Sequence, residues 1–423
     1  MSTRSRRVLP ALLLTIAAMS SAFGVTVHAT NGYFLLGIGT LSKGMGGTGV
    51  ALGTGPASPA TNPAGIALGS PGIDVGVGLF TPNRDYEVTG NPSGYPGTFG
   101  LAPGKVSSDS PLFPVPHAGW SRPSGRAAFG LLLYANGGMN TNYNAKTFGV
   151  APTGVNLSQM FVAPTVAFKV ADGHAIGVSP ILAYQMFKAE GLAAFSAFSS
   201  SSSNLTNRDT ANALGGGVRV GYMGRWTEQF SIGAAYQSRI VMSKLDNYRG
   251  LFAEAGSFDI PSNVTVGVAF HPTSELDLAF DVQRMNYSEV KSVANPLLPN
   301  LMTAQLGAAG GAGFGWKDMT VVKGGVEWRP SRDWAARAGY AYGQQPIGES
   351  EVLFNILAPG VIEQHVTAGV SRTTGRHTID VSVIRALSHS VTGANPLEAP
   401  NQQRITLRMD QWDVAVGYRI VFK

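Results

Sequence analysis

The sequence predicts an all-β fold: a transmembrane barrel of fourteen antiparallel strands. Three observations carry that reading. The chain opens with an export leader. The remainder is poor in charge yet has no apolar run long enough for a membrane helix. Period-two segments then recur, joined by connections that alternate between tight and long.

The leader comes first. Three arginines and no acid precede the apolar run Val8 to Ala18, and small residues lead to Val27-His28-Ala29. This is the layout of a secretory signal, with cleavage expected after Ala29 and Ala22 as the weaker alternative. The run is too short for a membrane anchor. The organisation expected is a signal peptide over 1–29, an N-terminal segment over 30–70 and a barrel over 71–423. The exported chain has no Cys, so no disulfide framework holds it. Loss of the three signal arginines lowers the formal net charge from +6 to about +3, too weak and scattered a charge for nucleic-acid binding. Charged residues make up 13% of the chain, against roughly 25% in soluble domains. A large exported chain of this kind without membrane helices satisfies its backbone in lipid only as a closed barrel, placing it in the outer membrane of a Gram-negative cell.

The strands are read from alternation. At the C-terminus, Trp412, Val414, Val416, Tyr418, Ile420 and Phe422 share one face, with Asp413, Gly417 and Arg419 on the other. Leu276, Leu278, Phe280 and Val282 oppose Asp277, Asp281 and Gln283. Trp334, Ala336, Ala338, Tyr340 and Tyr342 oppose Arg337 and Gly339, and Ile379, Val381 and Val383 oppose Asp380 and Ser382. All such runs together give strands near 72–81, 115–122, 127–137, 158–170, 174–188, 212–224, 229–241, 259–271, 275–287, 318–329, 333–343, 362–373, 377–388 and 411–422. The count is even, as bacterial single-chain barrels require. Every second link is tight and rich in turn residues: 121–126, 171–173, 224–228, 271–275, 329–333 and 373–376. The links between them are long, the asymmetry expected of periplasmic turns and outer loops.

Residues 30–70 are Gly-rich, carry Pro56, Pro59 and Pro63, and contain no acid, the first in the chain being Asp74. A periplasmic tail and a lumenal plug both fit such a segment. A fourteen-stranded barrel encloses more space than its side chains fill. Within it, KGMGGTGV holds a G-x-G-x-x-G at Gly44, Gly46 and Gly49. A dinucleotide site needs a strand before, a helix after and an acid about 20 residues on. None of these is present, so the glycines read as tight backbone turns and no cofactor is expected.

The stretch NGYFLLGIGTLSKGMGGTGVALGTGPASPATNPAGIA (31–67) resembles the start of the FadL/TodX family of outer-membrane channels for hydrophobic compounds. Lys43 with Gly47-Thr48-Gly49, and Asn62-Pro63-Ala64, are its most specific tokens. The segments 258–290 and 341–375 are also similar to the family. One departure is the end of the chain, where Phe422 is followed by Lys423 while family members finish on an aromatic. The resemblance implies that this N-terminal stretch is a hatch inside a fourteen-stranded barrel, with the NPA turn within it. It also implies a kinked third strand that opens a side window, matching Asn136, Gly137 and Gly138, and Gly in a strand often marks such a bulge. Two outer loops would form the hydrophobic groove where ligand first binds. Leu192, Phe195 and Phe198 recur every three residues in one, as on one side of a short helix, and Leu251 and Phe252 lie in the other.

A fatty-acid ligand would call for a lumenal cation. Lys169, Arg219, Arg337 and Arg385 lie on expected strands, but each taken singly is better explained by pairing with Asp277 or Asp380, and no carboxylate clamp is named. Catalytic motifs are absent: there is no G-x-S-x-G, H-E-x-x-H or Walker A, and the seven His lack metal-ligand spacing. The expected function is passive uptake of long-chain fatty acids or aromatic hydrocarbons by a monomer. Its partners would be the hydrophobic ligand, outer-membrane lipid and lipopolysaccharide, and the outer-membrane assembly machinery. A general diffusion porin and a structural or adhesive barrel are the alternatives.

Overall fold

The computed structural model describes residues 31–423, so the expected cleavage point lies outside the described residues. Fourteen strands form one antiparallel sheet: β1 (Gly72–Thr89), β2 (Phe113–Ser124), β3 (Ala127–Tyr143), β4 (Thr153–Ala171), β5 (His174–Glu190), β6 (Ala211–Arg225), β7 (Phe230–Gln237), β8 (Asn263–Thr273), β9 (Leu276–Met285), β10 (Met319–Trp328), β11 (Trp334–Gly343), β12 (Gln364–Thr374), β13 (His377–Ala394) and β14 (Arg404–Val421). Each pairs with its neighbour in sequence. β14 returns to pair with β1 from Gly72↔Val421 to Thr89↔Arg404, which closes the barrel. Closure gives every strand a paired neighbour on both sides, the condition for a sheet to cross lipid. Two short pieces, Gly104–Ser107 beside β1 and Val241–Met242 beside β6, extend the wall.

The alternation decides which face meets lipid. Val75, Val77 and Leu79 on β1, and Trp412, Val414, Val416 and Tyr418 on β14, are exposed, while Asp74, Asp413 and Ala415 between them are buried. Exposed tryptophans at 120, 226, 328 and 334 gather near the tight turns, where amphipathic rings settle at a membrane interface.

Several strands run further than the apolar alternation predicts. β1 continues to Thr89, β3 to Tyr143 and β13 to Ala394, while β4 starts at Thr153 and β14 at Arg404. These extensions all lie at the long-loop end. Beyond the lipid band both faces of a strand can be polar, so the period-two hydrophobic signal stops before the hydrogen-bonded ladder does. β7 and β8 are shorter than expected, and beyond them only Ile240 and Ile260 bridge.

Residues 31–71 contribute no barrel strand. They hold three short helical turns, Thr40–Gly44, Gly55–Ala60 and Gly65–Leu68, and lie against inward-facing residues around the wall. The main apolar core sits between this segment and the long loops, built on Tyr33, Phe34, Phe187, Phe252, Tyr287 and Trp316 among others.

Candidate functional site: a filled lumen and a gap in the wall

The N-terminal segment is fastened to the wall by polar contacts at spaced points. Lys43 Nζ donates to Asp413 Oδ2 on β14 at 2.6 Å, with both side chains buried. The Gly49 and Val50 amides donate to Asp281 Oδ2 on β9 at 2.8 and 3.1 Å. Thr367 on β12 accepts from Gly46 N and donates to Gly44 O. Lys323 on β10 donates to Leu36 O at 2.9 Å. Asn62 Nδ2 donates to Val50 O and to Tyr222 O, and its Oδ1 accepts from Ala64 N, an Asx turn that sets the NPA bend. Pro63 lies against Gly177 of β5, and Ala64 packs with Ile66, Ala128, Ala167 and Met223. Gly47 has φ +79°, and a Cβ there would lie 2.1 Å from Leu36 O, so the G-rich motif is a tight reversal that only glycine can make.

The third strand is bulged. Its ladder with β4 shifts register between Ala135 and Gly137, leaving Asn136 without a ladder partner. Asn136 Nδ2 donates to Gln159 Oε1 at 2.9 Å, and its carbonyl accepts from Leu35 N at 3.3 Å. Gly137 resumes the β4 ladder opposite Gln159, followed by Gly138 opposite Ser158, and Gly137 also forms a bridge with Phe34. On the other side, β2 pairs with β3 only from His117↔Tyr134 to Ser124↔Ala127. Beyond Tyr134 the wall lacks a regular β2–β3 ladder. Pro114 and Pro116 explain this, since neither has the N–H a ladder needs. Leu35 fills the place, packed with Phe80, Phe113, Val115 and Ala135.

At the outer end, Leu192, Phe195, Leu251 and Phe252 line one pocket with Leu306, Phe314, Phe354 and Leu357. Residues Ala193–Phe198 form a 3₁₀ helix, whose three-residue turn stacks i and i+3 on one side. Phe198 packs against the same apolar core without lining the pocket. The pocket volume is 30 Å³, about one water's share of liquid, so the side chains largely fill their own groove. The loops 286–318 and 344–363 supply most of its lining.

This geometry has counterparts among known proteins. The profile of the family described as outer membrane protein transport protein (OMPP1/FadL/TodX) matches residues 12–420. The chain belongs to that family. Among solved structures it is similar to the Pseudomonas putida toluene transporter TodX, at 19% identity over 93% of this chain and 100% of that one, with a TM-score of 0.67. The Ralstonia pickettii toluene transporter TbuX matches at 22% over 92% and 99%, with a TM-score of 0.62. A Pseudomonas aeruginosa FadL homologue matches at 16% over 93% and 100%, with a TM-score of 0.68. Likeness at these identities shows the shared barrel fold. No curated protein matches the chain. Family and fold together place it in the Gram-negative outer membrane.

Within this family fold, the four cations named from the sequence fall in different places. Arg219 is buried, donating to Pro59 O of the N-terminal segment at 2.7 Å and to Tyr134 Oη and Gln237. Arg337 is buried in an ion-pair chain with Glu327 and Asp380. Lys169 is exposed at the tight-turn mouth, beside Arg225 and Asp277. Arg385 is a correction: it shares the outward face of β13 with Val381 and Val383, lies over the exposed Trp412 ring at 4.9 Å and pairs with Asp410. It is no lumenal cation, because parity along β13 puts Ser382, Ile384 and Ala386 inside instead. Two inward cations carry no expectation from the sequence. Lys323 alternates with the lipid-facing Val322 and is legible by that parity. Arg84 lies in the polar extension of β1, past the last apolar alternation.

Proposed function

We propose that this chain is a passive channel for hydrophobic molecules, long-chain fatty acids or aromatic hydrocarbons, with a hatch that moves and a sideways exit into the membrane. The observation that carries the reading is the interrupted β2–β3 wall at Pro114, Pro116 and Asn136, faced with apolar side chains and filled by Leu35 of the N-terminal segment. Ligand collects among Leu192, Phe195, Phe198, Leu251 and Phe252, descends into the lumen, and leaves at Asn136–Gly138 once residues 31–37 withdraw. Lys43, Gly47, Gly49 and Asn62-Pro63-Ala64 keep the rest of the hatch seated. Burial of apolar surface drives each stage, so no energy-coupling partner is needed. The toluene transporters among its structural relatives agree with this substrate class.

The chain has no Cys, so a single engineered disulfide tests the exit. Phe34 and Gly137 are opposed bridge partners, a spacing that a disulfide spans. In cells lacking other channels for these compounds, the Phe34→Cys, Gly137→Cys variant should take up oleate or toluene when reduced and stop when oxidised. Equal uptake in both states would refute the sideways exit. Absence of uptake of both probes by the unmodified chain would refute the function.

A further inference from the structure

Above the lipid band, one stretch of the wall is cut low on its outer side. β11 ends at Gly343 and β12 begins at Gln364, whereas β13 continues to Ala394 and β14 starts at Arg404. The connection 344–363 does not stand over its own strands. It turns inward, where Ile347, Val352, Leu353 and Phe354 join the apolar core. A recess of 940 Å³ is left on the outer face, with the exposed Val322 and Tyr342 among its lining. That volume is at the upper end for a ligand site. Tyr340 and Tyr342 are exposed at the opposite end of β11 from Trp334. They mark the outer membrane interface, so the recess lies at the depth of the outer-leaflet headgroups.

The recess is shaped by bonds within the protein. Gln345 Nε2 donates to Ile347 O at 2.8 Å, while its Oε1 accepts from Ile347 N at 2.6 Å. Lys317 N donates to Pro346 O at 3.0 Å, and His389 Nδ1 lies 2.9 Å from Val361 O. Its charges are unevenly matched. Asp318 is taken by Arg284 at 3.0 Å and by Ser288 N at 2.8 Å, and Glu349 adds one further carboxylate. Against Glu349 stand Lys317 and Arg404, both exposed and neither with a side-chain partner among the described residues. They flank the recess from the start of β10 and the start of β14, four strand spacings or roughly 19 Å apart along the wall.

We propose that this recess seats the headgroup of lipopolysaccharide. One phosphate of its phosphorylated disaccharide rests on Lys317 and the other on Arg404, and its acyl chains run down over Val322 and Tyr342. Charge complementarity at a fixed depth selects this occupant. Lysine and arginine both donate to phosphate oxygens. A phospholipid brings a single phosphodiester to two separated cations, whereas the lipid A disaccharide brings two separated phosphates. This seat is independent of the uptake function proposed above.

The test uses the full chain in micelles of an uncharged detergent, titrated with lipid and read by native mass spectrometry. The probes are bisphosphorylated lipid A, the same lipid stripped of both phosphates, and phosphatidylglycerol. The unmodified chain should bind bisphosphorylated lipid A at least about tenfold more tightly than either other lipid, and Lys317→Gln and Arg404→Gln should each weaken it about fivefold, the scale of one basic residue at an anionic lipid surface. Both side chains are exposed, so the barrel should fold in either variant. Lys146→Gln removes an exposed charge from the β3–β4 loop, outside the recess, and should leave the affinity unchanged. Unaltered lipid A affinity in the Lys317→Gln, Arg404→Gln double variant, or an equal loss in Lys146→Gln, overturns the site. Equal binding of phosphatidylglycerol overturns the assignment to lipopolysaccharide. Dimers that the double variant abolishes, without lipid A bound, give the recess to a second copy of the chain and overturn it as well.

Discussion

Lys43 and Asp413 show what a buried charge does in this barrel. Their 2.6 Å contact ties the hatch segment to β14, the strand that closes the cylinder. Replacing both with apolar residues is close to neutral in such pairs, whereas removing one strands the other in a low-dielectric site at about 3–5 kcal/mol. Lys43→Ala should therefore loosen residues 40–50, seen as faster amide exchange there with the barrel strands unchanged. The Lys43→Met, Asp413→Leu double variant should restore protection. Asp281 acts differently, because it receives two backbone amides and, among the described residues, no cation within bonding distance. Asp281→Ala should leave Gly49 and Val50 without acceptors, at about 1–3 kcal/mol each where buried. Its effect on exchange should be confined to 47–52, and protection retained at those amides would remove Asp281 from the anchoring set.

At the scale of elements, the wall is shaped to receive the hatch backbone. A Cβ on Gly233 of β7 would lie 1.9 Å from Val50 O, and one on Gly339 of β11 would lie 2.2 Å from Gly46 N. The colliding atoms are main chain and cannot rotate aside, so overpacking here costs about 1–3 kcal/mol and falls on the less constrained partner. Gly339→Ala should thus displace residues 45–47 while the ladder survives, exposing the hatch to added protease in an otherwise heat-modifiable, folded barrel. Gly324→Ala is the control, since a Cβ there meets nothing within 4 Å. The same scale explains what could be read from the sequence. All fourteen strands announce themselves because lipid demands one apolar face, and the tight turns because their residues are few and distinctive. Strand ends at the outer side do not, as water imposes no such face there. Arg385 is misplaced when strand membership is taken for orientation, although parity with Val381 and Val383 already excludes the lumen. The outer pocket is half legible: Leu192 and Phe195 signal by spacing, but Leu306 and Phe354 join them from loops more than 100 residues away, and no local pattern records that meeting. The β2–β3 gap is written in Pro114 and Pro116, yet its meaning depends on which neighbour those residues face.

For the molecule as a whole, the barrel's backbone ladder is complete without the hatch. The fourteen-strand ladder closes through β1 and β14 without any strand from residues 31–71, whose bridge to the wall is Phe34 to Gly137. The lumen is held partly by a polar chain in which His271 hydrogen-bonds Asp277 and ion pairs run from Asp277 through Arg329, Glu327, Arg337 and Asp380 to Arg419, linking β8 to β14 across the wall itself. Its members bond one another, so these cross-links persist when the hatch is gone. Removal of residues 31–70 should therefore leave a folded barrel, and the glycine-rich wall then encloses space that side chains do not fill. Two obstructions compete to explain a closed resting state: the hatch, and the aromatic core of the outer loops around Phe195, Phe252 and Phe354. Planar-bilayer recording separates them. If the hatch is the barrier, the intact chain should show no steady current while the 31–70 deletion conducts in discrete, ohmic steps. If the deletion folds and stays silent, the outer loops close the channel, and the hatch then serves to fill the β2–β3 gap without blocking the axial path. A steady current from the intact chain would instead favour a general diffusion porin over either arrangement.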